Sequence, residues 1–392
     1  MDAIENLLTR GVDKIYPAKE ALEKVLREGK KLKLYQGFDP SMPSLHLGNL
    51  VGLIKLSQFQ KMGHHVIFLV GDFTGMIGDP TDKLATRKKL TREQVLENAK
   101  NWKEQAQKIL NFDGNNPAKI MFNSAWLDKV NFKELIEITS NLTYQQLIER
   151  DMFQERIKNN QPIHFHELLY PIAQGYDSVA MNVDMEIGGR DQIFNMLVGR
   201  TLVSAINHKE KFVLGTKLLV DKEGNKVGKT TGNALFLDSE SQDFYSGIMS
   251  FPDEVIELGF ELLTDTDFAS LKHNIKNHPM NEKKHLAFEI VKKLWGEENA
   301  VKAQDYFSKT FQQHNLSDVK EFEMNQLSSN PITIVNLLVN TQSAASKSEA
   351  KRLIEQKAVE IDQTVVDMIQ TNITLKTGMT LRVGKKRFLK FR

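Results

Sequence analysis

The stretch HLGN, residues 46–49, sets an imidazole, a bare glycine and an amide within four residues, just behind GFDPSMPS and ahead of an apolar run. Ser44, or the Pro43-Ser44 pair, can start a helix here, which puts His46, Gly48 and Asn49 in its first turn. The free N–H groups and positive dipole end of a helix start attract phosphate. His46 and Asn49 stand three apart, so both can donate from one face, and Gly48 has no Cβ to hold a flat adenine ring away from its backbone. By themselves the four residues fit a capped helix with a polar first turn equally well. A second element, GNKVGKT (residues 224–230), carries Lys226, Lys229 and Thr230 behind a strand. It is not a P-loop, because the first glycine of that pattern is missing at the required distance. On its own it reads as a solvated turn. A third, GDPTDKLATRKK, places Lys83 and Arg87 one helical turn apart in a polar stretch that reads by default as a surface loop.

In YPIAQGYD, Tyr170, Gln174 and Asp177 fall at i, i+4 and i+7, a single helical face. Polar groups on a stripe surrounded by Leu168, Leu169, Ile172 and Val179 need partners if they are buried. Pro171 is expected to mark the first turn of that helix. Further on, EIGGRDQ offers Gly188 and Gly189 for close approach of a ligand, and Asp191 as an acceptor for ribose hydroxyls. His164 and His166 form an H-x-H pair, but no third ligand is nearby, so a helix entry suits them better than a metal.

These residues need a frame to bring them together. From Lys31 to about Phe236 short apolar strands alternate with helical patterns: KLKLYQGF, HVIFLVGD, KIMFN, DMEIGG and KFVLGTKLLV read as strands, and LGNLVGLIKLSQFQKMG as a helix closed by Gly63. Thr91 and Gln94 form a capping box that opens a polar helix to about Ile109. Such alternation predicts an α/β fold with a doubly wound parallel sheet, whose ligands lie at the carboxyl ends of the strands. From about Asp243 to Phe322 the pattern is helical with no strand. Gln326 to Pro331 is a polar linker, followed by a unit of about sixty residues with two helices, the second capped by Ser346 and Glu349, and alternating strands.

Composition sets the outer bounds. The 392 residues are 41% hydrophobic and 26% charged, as in ordinary globular proteins. There is no cysteine, which excludes disulfides, thiolate metal sites and cysteine nucleophiles. No run reaches the roughly 18 apolar residues of a membrane span. Net charge is only +2, yet Met379 to Arg392 holds six Lys or Arg and no acid. A polyanionic partner is expected for that end alone.

Taken together and in this order, the pieces resemble the bacterial tyrosyl-tRNA synthetases, a class I aminoacyl-tRNA synthetase family, over nearly the whole chain. HLGN resembles the His-x-Gly-His signature and KVGKT the Lys-Met-Ser-Lys-Ser signature; the C-terminal unit is similar to a small RNA-binding module shared with a ribosomal protein. The resemblance implies a Rossmann-like catalytic domain over 1–235 with a helical dimerisation insertion near 122–160, an all-α domain over 236–325, and a small α+β RNA-binding domain over 331–392. It implies that Tyr35 and Asp177 hold the substrate phenol, that Tyr170, Gln174 and Asp79 hold its amino group, and that Gln192 and Asp39 lie close to the amino acid and adenylate. ATP would meet Gly37, Asp39, His46, Gly48, Asn49, Gly189, Asp191 and Lys229. Lys83, Arg87, Lys226, Lys229 and Thr230 would hold the pyrophosphate. RNA would meet Lys347, Lys351, Arg352, Lys385, Lys386 and Arg387. Asn49 departs from the signature's second histidine, and Val227 and Gly228 from its Met and Ser.

The implied reaction is activation of L-tyrosine by ATP, with Mg2+ accompanying the nucleotide and no protein-bound metal, then transfer to tRNA(Tyr). A cytoplasmic homodimer with no membrane or DNA partner is expected, without an editing domain. Three alternatives stay open on the residues. A tryptophanyl-tRNA synthetase shares the chemistry but usually lacks the phenol pair and the RNA module. A small-molecule nucleotidyltransferase leaves the last 150 or so residues unexplained. A non-catalytic RNA-binding descendant has Asn49 as its one support.

Overall fold

The runs KLYQGF, HVIFLV, MEIGG and FVLGT become strands flanked on both faces by other elements, as buried parallel strands must be. The computed structural model describes residues 2–79, 90–228, 234–312, 321–327, 329–362, 364–384 and 387–392. They fall into two compact units, residues 1–239 with 252–282, and residues 240–251 with 283–392.

The first unit is built on six strands: β1 (Val12–Tyr16), β2 (Lys33–Phe38), β3 (His65–Val70), β4 (Lys119–Phe122), β5 (Met185–Gly189) and β6 (Phe212–Thr216). Their order is β1-β6-β5-β2-β3-β4. Every pair is parallel except β1, which runs antiparallel to β6. The chain moves outward from β2 through β3 to β4, then returns to β5 on the other side of β2. That reversal opens a crevice at the carboxyl ends of β2 and β5. The antiparallel edge strand β1 departs from the expected sheet. Its sequence VDKIY holds charged Asp13 and Lys14, and its burial is partial, as edge strands allow.

Four helices matter for the crevice: α1 (Leu47–Lys61), α2 (Arg92–Ala99), α3 (Phe165–Ala180) and α4 (Ile193–Asn207). Three differ from the sequence expectation. Helix α1 begins at Leu47 rather than near Ser44, because His46 is itself the cap. Helix α2 has the expected Thr91–Gln94 capping box but ends at Ala99, and a separate short helix resumes at Trp102, whose buried indole donates to Pro43 O (3.1 Å). Helix α3 runs through Pro171 instead of starting at it. Helices α3 and α4 cross closely at two glycines: a Cβ on Gly175 would stand 3.1 Å from the Gly199 nitrogen. Ile172, Val179, Val198, Leu202 and Val203 fill the rest of that contact.

In the second unit the helices Ser241–Met249 and Glu297–Phe307 and residues 283–295 of the helix Pro279–Trp295 make ring contacts such as Phe244 on Trp295 (5.1 Å). Its five-stranded sheet includes Val359–Ile361, Thr380–Val383 and Arg387–Phe391, over a core containing Leu337, Leu338, Ile354, Leu381 and Phe391. Glu321–Phe322 adds a parallel edge strand inside the stretch expected to be strand-free. Ser346 caps the helix Lys347–Glu355 through the Glu349 N–H.

Candidate active site

Side chains alternate along a strand, so Tyr35, Gly37 and Asp39, at the end of β2, share one direction. They open a cavity of about 460 Å³ at the β2–β5 crevice. The same cavity is lined by His46, Gly48, Asn49, Asp79, Tyr170, Gln174, Asp177, Gly189, Asp191, Gln192 and Lys226. It thus gathers the expected amino-acid and nucleotide residues that are described. Lys83, Arg87, Lys229, Thr230, Lys385, Lys386 and the Arg387 side chain lie outside the described residues. Lys347, Lys351 and Arg352 are exposed on one helix of the second unit.

The inner end of the cavity is a hydrogen-bonded lattice. Asp177 is buried (2% exposed) and accepts from Trp126 Nε1 at 2.8 Å and from Asn123 Nδ2 at 3.2 Å. Burial pushes its carboxyl well above the usual range, against those two hydrogen bonds. Tyr35 does not bond Asp177 directly; its hydroxyl meets Ser178 Oγ at 2.8 Å. Burial, then the charges of Glu186 and Asp177, push that phenol up as well. The Tyr170 hydroxyl donates to Asp39 Oδ2 (2.7 Å), and Thr74 Oγ1 donates to Oδ1 of the same carboxylate (2.6 Å). Gly71 leaves the space for this: a Cβ there would stand 2.0 Å from Asp39 Oδ1.

Charge runs along the stripe on α3. Gln174 Nε2 donates to Glu186 Oε1 (3.0 Å), and Asn195 Nδ2 donates to both Gln174 Oε1 (2.9 Å) and Gln192 Oε1 (3.1 Å). Gln192 Nε2 donates to Asp79 Oδ2 (2.6 Å), and Arg150 donates to Asp79 Oδ1 (3.1 Å). Glu186 is paired with buried Lys211, whose ammonium burial pushes down and Glu186 supports.

At the outer end, the HLGN residues cap α1. His46 Nδ1 accepts from the Asn49 N–H (3.3 Å), and Asn49 Oδ1 accepts from the His46 N–H (2.9 Å). Accepting at Nδ1 places the proton of the neutral ring on Nε2. A Cβ on Gly48 would stand 2.9 Å from His46 Cε1. Gly228 reaches the same helix: it has φ +74°, and a Cβ there would lie 2.9 Å from Leu47 Cδ2. The glycine that departs from the general signature is therefore the residue this backbone requires. Lys226 pairs with Asp191 at 2.7 Å.

Sequence reasoning missed Asn123, Trp126, Ser178, Glu186, Asn195, Arg150 and Lys211. The available signals were polar residues at strand ends, such as Asn123 after β4, and charges beside apolar strand runs, such as Glu186 and Lys211.

A family model described as tRNA synthetases class I (W and Y) matches residues 27–312. The tyrosine–tRNA ligase of Aquifex aeolicus (strain VF5) is 40% identical over 386 residues, 97% of this chain and 96% of that protein. That of Thermotoga maritima is 40% identical over 389 residues, covering 97% and 95%. In fold the chain is similar to a C-terminally truncated mitochondrial tyrosyl-tRNA synthetase of Aspergillus nidulans (TM-score 0.67, 21% identity, 79% of this chain and 94% of that one). It is also similar to the tyrosyl-tRNA synthetase of Archaeoglobus fulgidus complexed with L-tyrosine (TM-score 0.59, 19% identity, 77% and 100%). The chain belongs to the class I tRNA synthetases of the tryptophan and tyrosine family, among the tyrosine–tRNA ligases.

Proposed function

We propose that the β2–β5 cavity activates L-tyrosine with MgATP and then transfers the tyrosyl group to the 3′ end of tRNA(Tyr). The carrying observation is that Tyr35, Asp177, Tyr170, Gln174 and Asp79 share one cavity with His46, Asn49, Asp191 and Lys226. In this reading Tyr35 and Asp177 take the phenol, and Asp79, Tyr170 and Gln174 take the ammonium. Asp39 and Gln192 flank the reacting carboxylate. Gly37, Gly48 and Gly189 let the nucleotide approach the backbone, and Asp191 takes ribose hydroxyls.

The tyrosine carboxylate attacks the α-phosphorus and pyrophosphate leaves; a terminal ribose hydroxyl of the tRNA then attacks the mixed anhydride and AMP leaves. Neither step needs a protein nucleophile. The protein contributes positioning and fixed charge where negative charge grows. His46 Nε2–H and the Asn49 amide serve as donors, so asparagine can replace the signature's second histidine without changing the chemistry. Ribose hydroxyls arriving at Asp191 compete for the carboxylate that holds Lys226 and turn that cation toward the phosphates. Lys83, Arg87, Lys229 and Thr230 complete the pyrophosphate grip.

The second unit is assigned to the tRNA, with Lys347, Lys351, Arg352, Lys385, Lys386 and Arg387 meeting phosphates. Beyond the catalytic domain two domains are read, an all-α one over 236–325, of which residues 252–282 cluster with the first unit, and a small α+β one over 331–392. The segment near 122–160 and its neighbour Phe165 expose Phe132 (79%), Ile136, Tyr144 and Phe165 (76%), an apolar surface that suits a second copy in a homodimer. No helix among the described residues is long and apolar enough to cross a membrane, and the cytoplasm is the compartment assigned.

The test is exchange of labelled pyrophosphate into ATP. Exchange that requires tyrosine is expected; exchange driven by tryptophan, or none with either amino acid, overturns the assignment.

A further inference from the structure

Glu186 in β5 is registered beside Tyr35 in β2, and Lys211 immediately precedes β6. Both charges are buried, at 1% and 0% exposure. An ion pair at that depth is sustained only when further hydrogen bonds satisfy its remaining lone pairs and protons. Lys211 Nζ bonds Glu186 and donates to Met196 O (3.2 Å). Gly199 makes the space, since a Cβ there would stand 2.6 Å from Nζ.

What the pair controls is direction. An ionised carboxylate cannot donate. Gln174 must therefore turn its NH2 toward Glu186 (3.0 Å), which points its Oε1 at Asn195 and leaves a second lone pair on that oxygen. Ser178 donates to Glu186 Oε2 (3.3 Å), so it must accept from the Tyr35 hydroxyl (2.8 Å). Tyr35 then uses its one proton inward and keeps lone pairs for the cavity. We propose that the buried Glu186–Lys211 pair is a positioning element for amino-acid selection, making Gln174 an acceptor for the substrate ammonium and Tyr35 a second acceptor that shares with Asp177, in a three-centre bond, the single proton of the substrate phenol. Phenylalanine, with no hydroxyl, leaves the Tyr35 acceptor unmatched. The inference rests on the tyrosine-activating reading above.

The test compares Glu186→Gln/Lys211→Met, which buries no net charge, with the unmodified enzyme in pyrophosphate exchange. The new amide can donate to Ser178 and let the relay reverse. KM for tyrosine should rise about tenfold and selectivity over phenylalanine fall by a similar factor, as for one misdirected hydrogen bond. KM for ATP should stay unchanged; a smaller folded fraction would lower the maximal rate and move neither KM. Unaltered tyrosine KM and selectivity overturn the proposal. If the double variant does not fold, Ser178→Ala decides, because it cuts the relay without touching a charge. Reduced selectivity over phenylalanine supports the relay, and unchanged selectivity overturns it. Absence of tyrosine-dependent exchange in the unmodified enzyme would instead sink the tyrosine-activating assignment, and the positioning role with it.

Discussion

Asp177→Asn keeps the shape of the side chain and reverses one hydrogen-bonding group, so its cost can be worked from the contacts. Both carboxylate oxygens already accept, Oδ1 from Trp126 and Oδ2 from Asn123. An amide can keep its oxygen on Trp126, but its NH2 then faces the Asn123 NH2. Asn123 cannot turn over to help, because its Oδ1 accepts the Phe73 N–H (2.8 Å) and its Nδ2 also donates to Thr74. One buried donor is left opposed, a cost of about 1–3 kcal/mol. Relief of the burial that pushes the Asp177 carboxyl up offsets part of this in the folded protein. The substrate phenol has no such relief, since it loses a charged acceptor contributing about 1.5–3 kcal/mol, or roughly one to two decades in kcat/KM for tyrosine. Pyrophosphate exchange at saturating ATP, with tyrosine and phenylalanine each varied, measures this alongside thermal melting. The expected outcome is a large loss of tyrosine kcat/KM and of selectivity, with a small drop in melting temperature. Wild-type selectivity over phenylalanine in the folded variant would refute the assignment of Asp177 to the phenol.

Gly228→Ser restores the residue of the general signature, yet it should slow adenylate formation about five- to thirtyfold, because a left-handed backbone costs a side-chain residue roughly 1–2 kcal/mol and the new Cβ runs into Leu47. A faster single-turnover rate would show that the loop has no such constraint. His64 accepts the Leu32 N–H at Nδ1 (3.1 Å), and burial, then Lys31 and His65, push its ring down to about 4. The unfolded chain takes up this proton near pH 6.5. The stabilising contribution is therefore complete above 6.5 and lost as pH falls toward and through 4. His64→Asn, which keeps an acceptor without titrating, should flatten the melting temperature over that window; an unchanged acid slope counts against it. Lys351→Ala with Arg352→Ala should spare pyrophosphate exchange and weaken tRNA charging, lowering the salt slope of tRNA binding by about 0.7–0.9 per lost phosphate contact. Equal losses in both reactions would remove the RNA assignment from this helix.

The amino-acid order alone determined the alternation of strands and helices from Lys31 to Phe236, because burial on both strand faces and on one helix face leaves a periodic trace. It also marked the polar stripe Tyr170, Gln174 and Asp177, since carboxylate and amide groups among leucines and isoleucines demand partners. Edge strand β1 left little trace, because half of its side chains face away from the core. The partners themselves were a tertiary matter. Tyr35 and Ser178 are separated by 143 positions, and Glu186 meets Tyr35 only because β5 returns beside β2. Direction of hydrogen bonds was likewise beyond local pattern: whether Gln174 offers oxygen or nitrogen is settled by an acceptor-only carboxylate on another strand. At Gly228, KVGKT by itself reads as a departure from a signature. Packed against Leu47, it is the residue that a left-handed turn beside the start of α1 permits.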